Sequence, residues 1–194
     1  MNHSKRYLDQ VAVIAGSIDH KIVERIAIGL AEVRSVGGRL FVLGVGGSAA
    51  NASHFVNDFR KLALFEAYAP TDNIAELTAR TNDEGWDTVF QEWLCTSQAN
   101  ENDAVFVLSV GGGDIDRKIS VNIVKALDEA RSRDMRIYGI VGRSEGYTAR
   151  VATEVVVVPN IYPDYVTAHS ESFQAVIWHC LVFHPKLAVR SATW

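Results

Sequence analysis

Apolar residues recur at spacings of three and four across residues 7–36. Val11, Ile14, Ile18, Ile22, Ile26, Leu30 and Val33 form one stripe, which predicts a long amphipathic helix. Gly37-Gly38 ends it. Residues 39–43 read as a strand that runs into a glycine-rich turn, Gly44-Val45-Gly46-Gly47-Ser48, and a helical segment follows over 49–62. Residues 61–72 have mixed polarity and no clear period. A short apolar segment at 74–77 leads into a polar loop at 81–85, and 86–99 reads as a helix. The second half alternates more cleanly. Strands are predicted at 104–109, 136–141 and 155–158, and helices at 119–133 and 166–183.

Strands that are continuous apolar runs are buried on both faces, and their alternation with helices indicates βαβ units in a parallel sheet. The expected fold is therefore α/β, with helices on both sides of the sheet. In such sheets ligands sit beyond the carboxyl ends of the strands. Two glycine-rich turns occupy such positions, 44–48 and Ser109-Val110-Gly111-Gly112-Gly113-Asp114.

Composition narrows the class. The chain has 194 residues, enough for one domain with a sizeable core, and no linker or repeat divides it, so 1–194 reads as a single domain. Apolar residues are 48% and charged residues 22%, which excludes disorder and low-complexity fibres. The net charge of −4 leaves no basic excess for direct nucleic-acid binding. The polar start lacks the apolar centre of a signal peptide, and no apolar run approaches the ~20 residues of a membrane span. The expectation is a cytoplasmic protein with no membrane partner. Cys95 and Cys180 have neither disulfide nor metal-motif spacing, and Cys180, inside an apolar run, reads as a buried thiol. Trp86 and Trp93 read as core.

Glycines after a strand let backbone approach a ligand, and the helix that follows aims free N–H groups at it. With the Ser48 hydroxyl, the 44–48 turn suits a phosphate. It is not a P-loop, since no Gly-Lys-Ser/Thr follows, and it fits a dinucleotide pattern only loosely, with Ala49 in the last glycine position. The plain alternative is a tight turn with no ligand. His54 and Asp58, four apart on a helix, share a face and are either a surface pair or two ligands of one metal. Glu171 and His179 lie eight apart on the last helix, with His169 and Gln174 nearby. Glu171 would also favour the helix dipole, and His179 would serve equally as a core histidine. Asn82-Asp83 stand in the polar loop, where Asp83 would cap the helix holding Trp86.

The segment Gly44-Val45-Gly46-Gly47-Ser48-Ala49-Ala50-Asn51-Ala52-Ser53-His54-Phe55 resembles the GNGGSAADAxHF segment of the phosphoheptose isomerases, the sedoheptulose-7-phosphate isomerases of the sugar-isomerase (SIS) domain superfamily. The resemblance extends in order and spacing over nearly the whole chain. It implies a single SIS domain with a flavodoxin-like parallel sheet, and a homotetramer with active sites at subunit interfaces to which the N-terminal helix, 5–36, contributes. It also implies conversion of sedoheptulose 7-phosphate to D-glycero-D-manno-heptose 7-phosphate, an early step toward heptose in bacterial surface polysaccharide.

The resemblance further implies zinc held by His54, Asp58, Glu171 and His179. Asp58 stands where the family has Glu, and Glu171 where it has Gln; both remain oxygen ligands. If the metal is absent, Asp58 or His179 is the acid–base candidate. Gly46, Gly47, Ser48, Ser109, Gly111 and Gly112 would hold the phosphate, and Asn82 and Asp83 would meet sugar hydroxyls. Val45 replaces a family Asn, and the second turn keeps only the first hydroxyl of the family's Ser-Thr-Ser-Gly-Asn-Ser loop. Arg117, Lys118 or Ser120, from the following helix, would compensate. The alternative function is a non-catalytic SIS phosphosugar sensor, or an adaptor of the replication initiator.

Overall fold

The computed structural model describes residues 2–192. Five strands form one sheet in the order β2-β1-β3-β4-β5, every pair parallel. They are β1 (Leu40–Gly44), β2 (Ala67–Tyr68), β3 (Ala104–Ser109), β4 (Arg136–Val141) and β5 (Glu154–Val157). All residues of β1 and β3 are buried, as continuous apolar strands require.

The pleat divides the core in two. Leu40 and Val42 of β1 and Phe106 and Leu108 of β3 face one apolar cluster, built with α2 (His20–Ser35), α3 (Gly47–Leu62) and α8 (Val166–Val182). Phe41, Leu43, Val105 and Val107 face the other, built with α5 (Val89–Thr96) and α6 (Val121–Ser132). The result is three layers, helices–sheet–helices. Because β1 connects toward β2 on one side while β3 lies on the other, the strand order reverses between β1 and β3, which places a ligand crevice at their carboxyl ends. Among the described residues, no helix is long and apolar enough to cross a membrane.

Several expectations are corrected. The predicted helix 5–36 is two helices, α1 (His3–Ser17) and α2, separated by Ile18 in an extended conformation. Asp19 restarts the helix by accepting from the Lys21 N–H. The apolar stripe runs on through Ile14, Ile18 and Ile22, so periodicity alone does not show the break. The loop expected at 81–85 is largely helical, because α4 (Ile74–Asp83) extends through it. That helix fully buries no residue; Leu77 packs against the second apolar cluster, and the Asn73 cap and the Glu76–Arg80–Glu84 ion pairs support it. Asp83 therefore ends a helix and does not cap the next one, which begins after Thr88. Residues 67–68, unplaced by pattern, form the short edge strand β2, and α7 (Tyr147–Val151) had no sequence signal. Cys180 is exposed, not buried, and Trp86 is 42% exposed.

Helix α1 docks through a buried histidine. His169 on α8 is 2% exposed, its Nε2 lies 3.0 Å from Gln10 Oε1, and its ring stacks on Tyr7 at 4.7 Å. Among the described residues, its Nδ1 has no hydrogen-bond partner. Burial holds its pKa below the ordinary 6.5, so the folded chain resists a proton that the unfolded chain accepts. Stability is then complete above about pH 6.5 and falls as the pH drops below it. Urea unfolding at pH 7 and pH 5 should show this loss in the wild type and a smaller loss in His169→Asn; equal losses would remove His169 as its source.

Candidate active site

The β1–α3 turn is shaped by two glycines. Gly46 precedes α3 with φ +65° and ψ −130°, a combination that side chains oppose. At Gly47 the lack of a side chain admits Glu171 of α8, whose carboxylate lies 2.6–2.8 Å from where a Cβ would stand. Helices α3 and α8 pack side by side and run away from the crevice in the same direction. Polar rungs mark their register: Ser48 Oγ donates to Glu171 Oε1 at 3.3 Å and accepts from Gln174 Nε2 at 3.0 Å, and Asn51 Nδ2 donates to Gln174 Oε1 at 2.7 Å.

Two turns further along these helices three expected metal ligands meet. The potential ligand atoms of His54, Asp58 and His179 all lie within 4.8 Å of one another. Asp58 Oδ2 is 3.4 Å from His54 Nε2 and 3.2 Å from His179 Nε2. Asp58 is largely buried, and its carboxylate also accepts from Trp178 Nε1 at 3.3 Å and Asn57 Nδ2 at 3.0 Å. His179 Nδ1 is 2.8 Å from the Ala175 carbonyl and must donate to it. In the neutral ring, that bond leaves the Nε2 lone pair facing a carboxylate oxygen. Two lone pairs in that arrangement call for a cation between them, either a proton or a metal ion. A helix carbonyl on the far nitrogen is also how metal-binding histidines are commonly oriented. Two imidazoles and one carboxylate with room for further ligands suit a divalent ion such as zinc.

The fourth expected ligand, Glu171, is not in this group. It lines a cavity of about 340 Å³ at the carboxyl ends of β1, β3 and β4, together with Ser48, Ser109 and Gly111. Ser109 Oγ accepts from the Gly112 N–H at 2.9 Å, which folds the second turn back on itself. Thr148 of α7 straps the same turn, donating from both Oγ1 and N to the Gly112 carbonyl. Asn82 and Asp83 stand exposed at the end of α4 and do not line this cavity.

Arg117 and Lys118 are not on the following helix. They belong to a small hairpin closed by Asp114 and Ile119, whose backbones exchange hydrogen bonds of 2.9 and 3.0 Å. Arg117 lines the cavity. Sequence reading missed Arg143, also on the cavity wall. Its signal was available: Gly142-Arg143 follows the end of β4 just as the glycine turns follow β1 and β3.

Residues 6–142 match the SIS domain family. A protein of Thermoplasma volcanium named "Probable phosphoheptose isomerase" is 35% identical over 147 residues, covering 73% of this chain and 71% of that one. The phosphoheptose isomerase of Aneurinibacillus thermoaerophilus is 30% identical over 156 residues, covering 77% and 74%. Among solved structures, phosphoheptose isomerase GmhA from Neisseria gonorrhoeae superposes with a TM-score of 0.79 at 23% identity, over 92% of this chain and 94% of that one. A phosphoheptose isomerase from Francisella tularensis gives 0.78 at 24%, over 93% and 96%. At those identities the structures speak for the fold, and the sequence matches speak for the family. The expected scaffold, the glycine turn and the coverage of the relatives agree: the chain belongs to the SIS-domain phosphoheptose isomerase family.

Proposed function

We propose that this chain is an aldose–ketose isomerase of phosphosugars, converting sedoheptulose 7-phosphate to D-glycero-D-manno-heptose 7-phosphate. The observation that carries the reading is the His54–Asp58–His179 group two helical turns from a cavity ringed by glycine turns. The two ends of the substrate have different needs: the phosphate sits at C7, and the reacting carbons are C1 and C2. A cavity with backbone donors suits the first, and the titratable group suits the second.

The reaction moves a proton between adjacent carbons through an enediol. Asp58 is the base in this reading, since its carboxylate is largely buried and held in place by Trp178 and Asn57. With no ion bound, His179, fixed by the Ala175 carbonyl, presents Nε2 beside Asp58 and carries the proton to or from the sugar oxygens. With a divalent ion held by His54, Asp58 and His179, that Nε2 would be a ligand, and the ion would polarise the enediol oxygens in place of the proton. The homotetramer belongs to the same proposal. Val176 on α8 and Phe183 just after it lie exposed, and Asn82 and Asp83, which do not line their own cavity, would reach sugar hydroxyls of a partner subunit.

The test is incubation of the purified protein with sedoheptulose 7-phosphate, with added zinc and with chelator, following product by NMR. Turnover that chelator and His179→Ala both abolish supports the isomerase. Phosphosugar binding with no turnover under any metal overturns it in favour of the sensor reading.

A further inference from the structure

The cavity at the strand ends is lined by three hydroxyls: Ser48 already donates to Glu171, while Ser109, whose oxygen accepts from the Gly112 N–H, and Ser120 each keep a proton to donate, and neutral hydroxyls alone do not balance the charge of a phosphate. Glu171 also places a carboxylate against the first turn of α3, where the helix dipole would otherwise attract an anion. Three carboxylates line the cavity, those of Asp114, Glu145 and Glu171, against two cations, Arg117 and Arg143. An entering phosphate would be repelled unless the two guanidinium groups turn toward it.

Both are free to do so. Arg143 Nη1 is 3.4 Å from Glu145 Oε1, and Arg117 Nε is 3.7 Å from Asp114 Oδ2. Pairs so long and exposed contribute little and reorient easily. Elsewhere in the chain, tight arginine pairs close to 2.6–2.7 Å, as at Arg133–Glu129 and Arg39–Asp103. The cavity arginines therefore keep most of their five donors unused. They come from different elements: Arg143 follows β4, and Arg117 rides on the hairpin at 114–119, where Ile115 and Ile119 are each about half exposed.

We propose that Arg143 and Arg117 are the cationic phosphate-binding residues of this chain, and that Glu171 keeps the phosphate off the α3 terminus and on the β3–β4 side of the cavity. This rests on the sugar-phosphate reading above, but it concerns the binding of phosphate and not turnover. The two arginines act as a clamp, Arg143 from a fixed strand end and Arg117 from the hairpin. Glu171 sets the register of the substrate between the clamp and Asp58.

Calorimetric or NMR titration with inorganic phosphate, sedoheptulose 7-phosphate and unphosphorylated sedoheptulose tests it. Each of Arg143→Gln and Arg117→Gln should weaken both phosphate ligands about tenfold, and the double variant at least about 100-fold. Binding of the unphosphorylated sugar should not change. Arg143→Lys should recover part of the loss, because it keeps the charge and loses the fork. Glu171→Gln should tighten inorganic phosphate several-fold. If turnover is present, KM rises in the arginine variants while kcat holds. Dissociation constants within twofold of wild type in the double variant overturn the proposal, even where the wild type is a proficient isomerase. A wild type that binds phosphate through these arginines and turns nothing over overturns the isomerase reading and leaves this one standing. A wild type that binds no phosphate overturns both.

Discussion

Asparagine in place of Asp58 should lower turnover by about two to four orders of magnitude, the range expected when a positioned acid–base group is lost. The substitution keeps the shape of the side chain, but Trp178 Nε1 and His179 Nε2 meet the same oxygen, Oδ2, so the amide serves one of them there and not both. The fold should survive the loss of one such contact while the negative charge between two imidazoles disappears. Metal content of the purified protein should fall with the activity, since one of three converging ligands has become a poor one. A variant that retains both its metal and its turnover would remove Asp58 from the chemistry. A melting temperature close to wild type separates this outcome from simple unfolding.

The largest effect on stability is expected at the opposite end of the sheet. Asp103 is 2% exposed and lies just before β3. It accepts from the Arg39 N–H at 2.8 Å, from Arg39 Nε at 3.1 Å and Nη2 at 2.7 Å, and from the Asn100 N–H at 3.0 Å. The same guanidinium donates to the Ser97 and Gln98 carbonyls. Its pKa is raised, first by the hydrogen bond to Asp103. The pair ties the start of β1 to the start of β3. Asp103→Ala leaves two backbone donors and a guanidinium without their acceptor, which costs about 3–5 kcal/mol for a buried pair. Arg39 is partly exposed and can rehydrate, so the lower figure applies. For a chain of this size about 3 kcal/mol corresponds to a fall of roughly 6–12 °C in melting temperature. Phosphate affinity and metal content should not change, because the pair stands at the amino ends of the strands. An unchanged melting temperature would show that the remaining ladder holds β1 and β3 without it. Arg39→Met with Asp103→Leu should restore only the part of the loss that comes from the unpaired guanidinium, because the Arg39 and Asn100 N–H groups still lack their acceptor.

Both predictions rest on side chains whose roles are legible in the sequence to different degrees. His54 and Asp58 had to share a face, because four residues make nearly one helical turn. That His179 would meet them, and that Glu171 eight residues earlier would not, depended on how α8 lies against α3. The two helices run side by side, so each turn of one meets a different turn of the other: Ser48 meets Glu171, Asn51 meets Gln174, and Asp58 meets Trp178 and His179. A family pattern of four ligands carries no information on which rung each occupies once Glu replaces Gln and finds a hydroxyl of its own.

By itself, the sequence determined the layered parallel sheet. Its central strands are unbroken apolar runs that only a core on both faces satisfies, and its glycine turns fall where those strands end. The tertiary structure alone decided the rest. It broke the N-terminal stripe at Ile18, where a local cap outweighs an uninterrupted apolar period. It made a helix of 74–83, whose apolar segment is too short to announce one, because a cap and charge pairs extend it past Leu77. It left Cys180 on the open face of α8, since an apolar outer face and an apolar inner face look alike along the chain. It also gathered Arg117 and Arg143, 26 residues apart in number, around one cavity; short-range patterning records what each segment prefers, and only packing decides which segments share a wall.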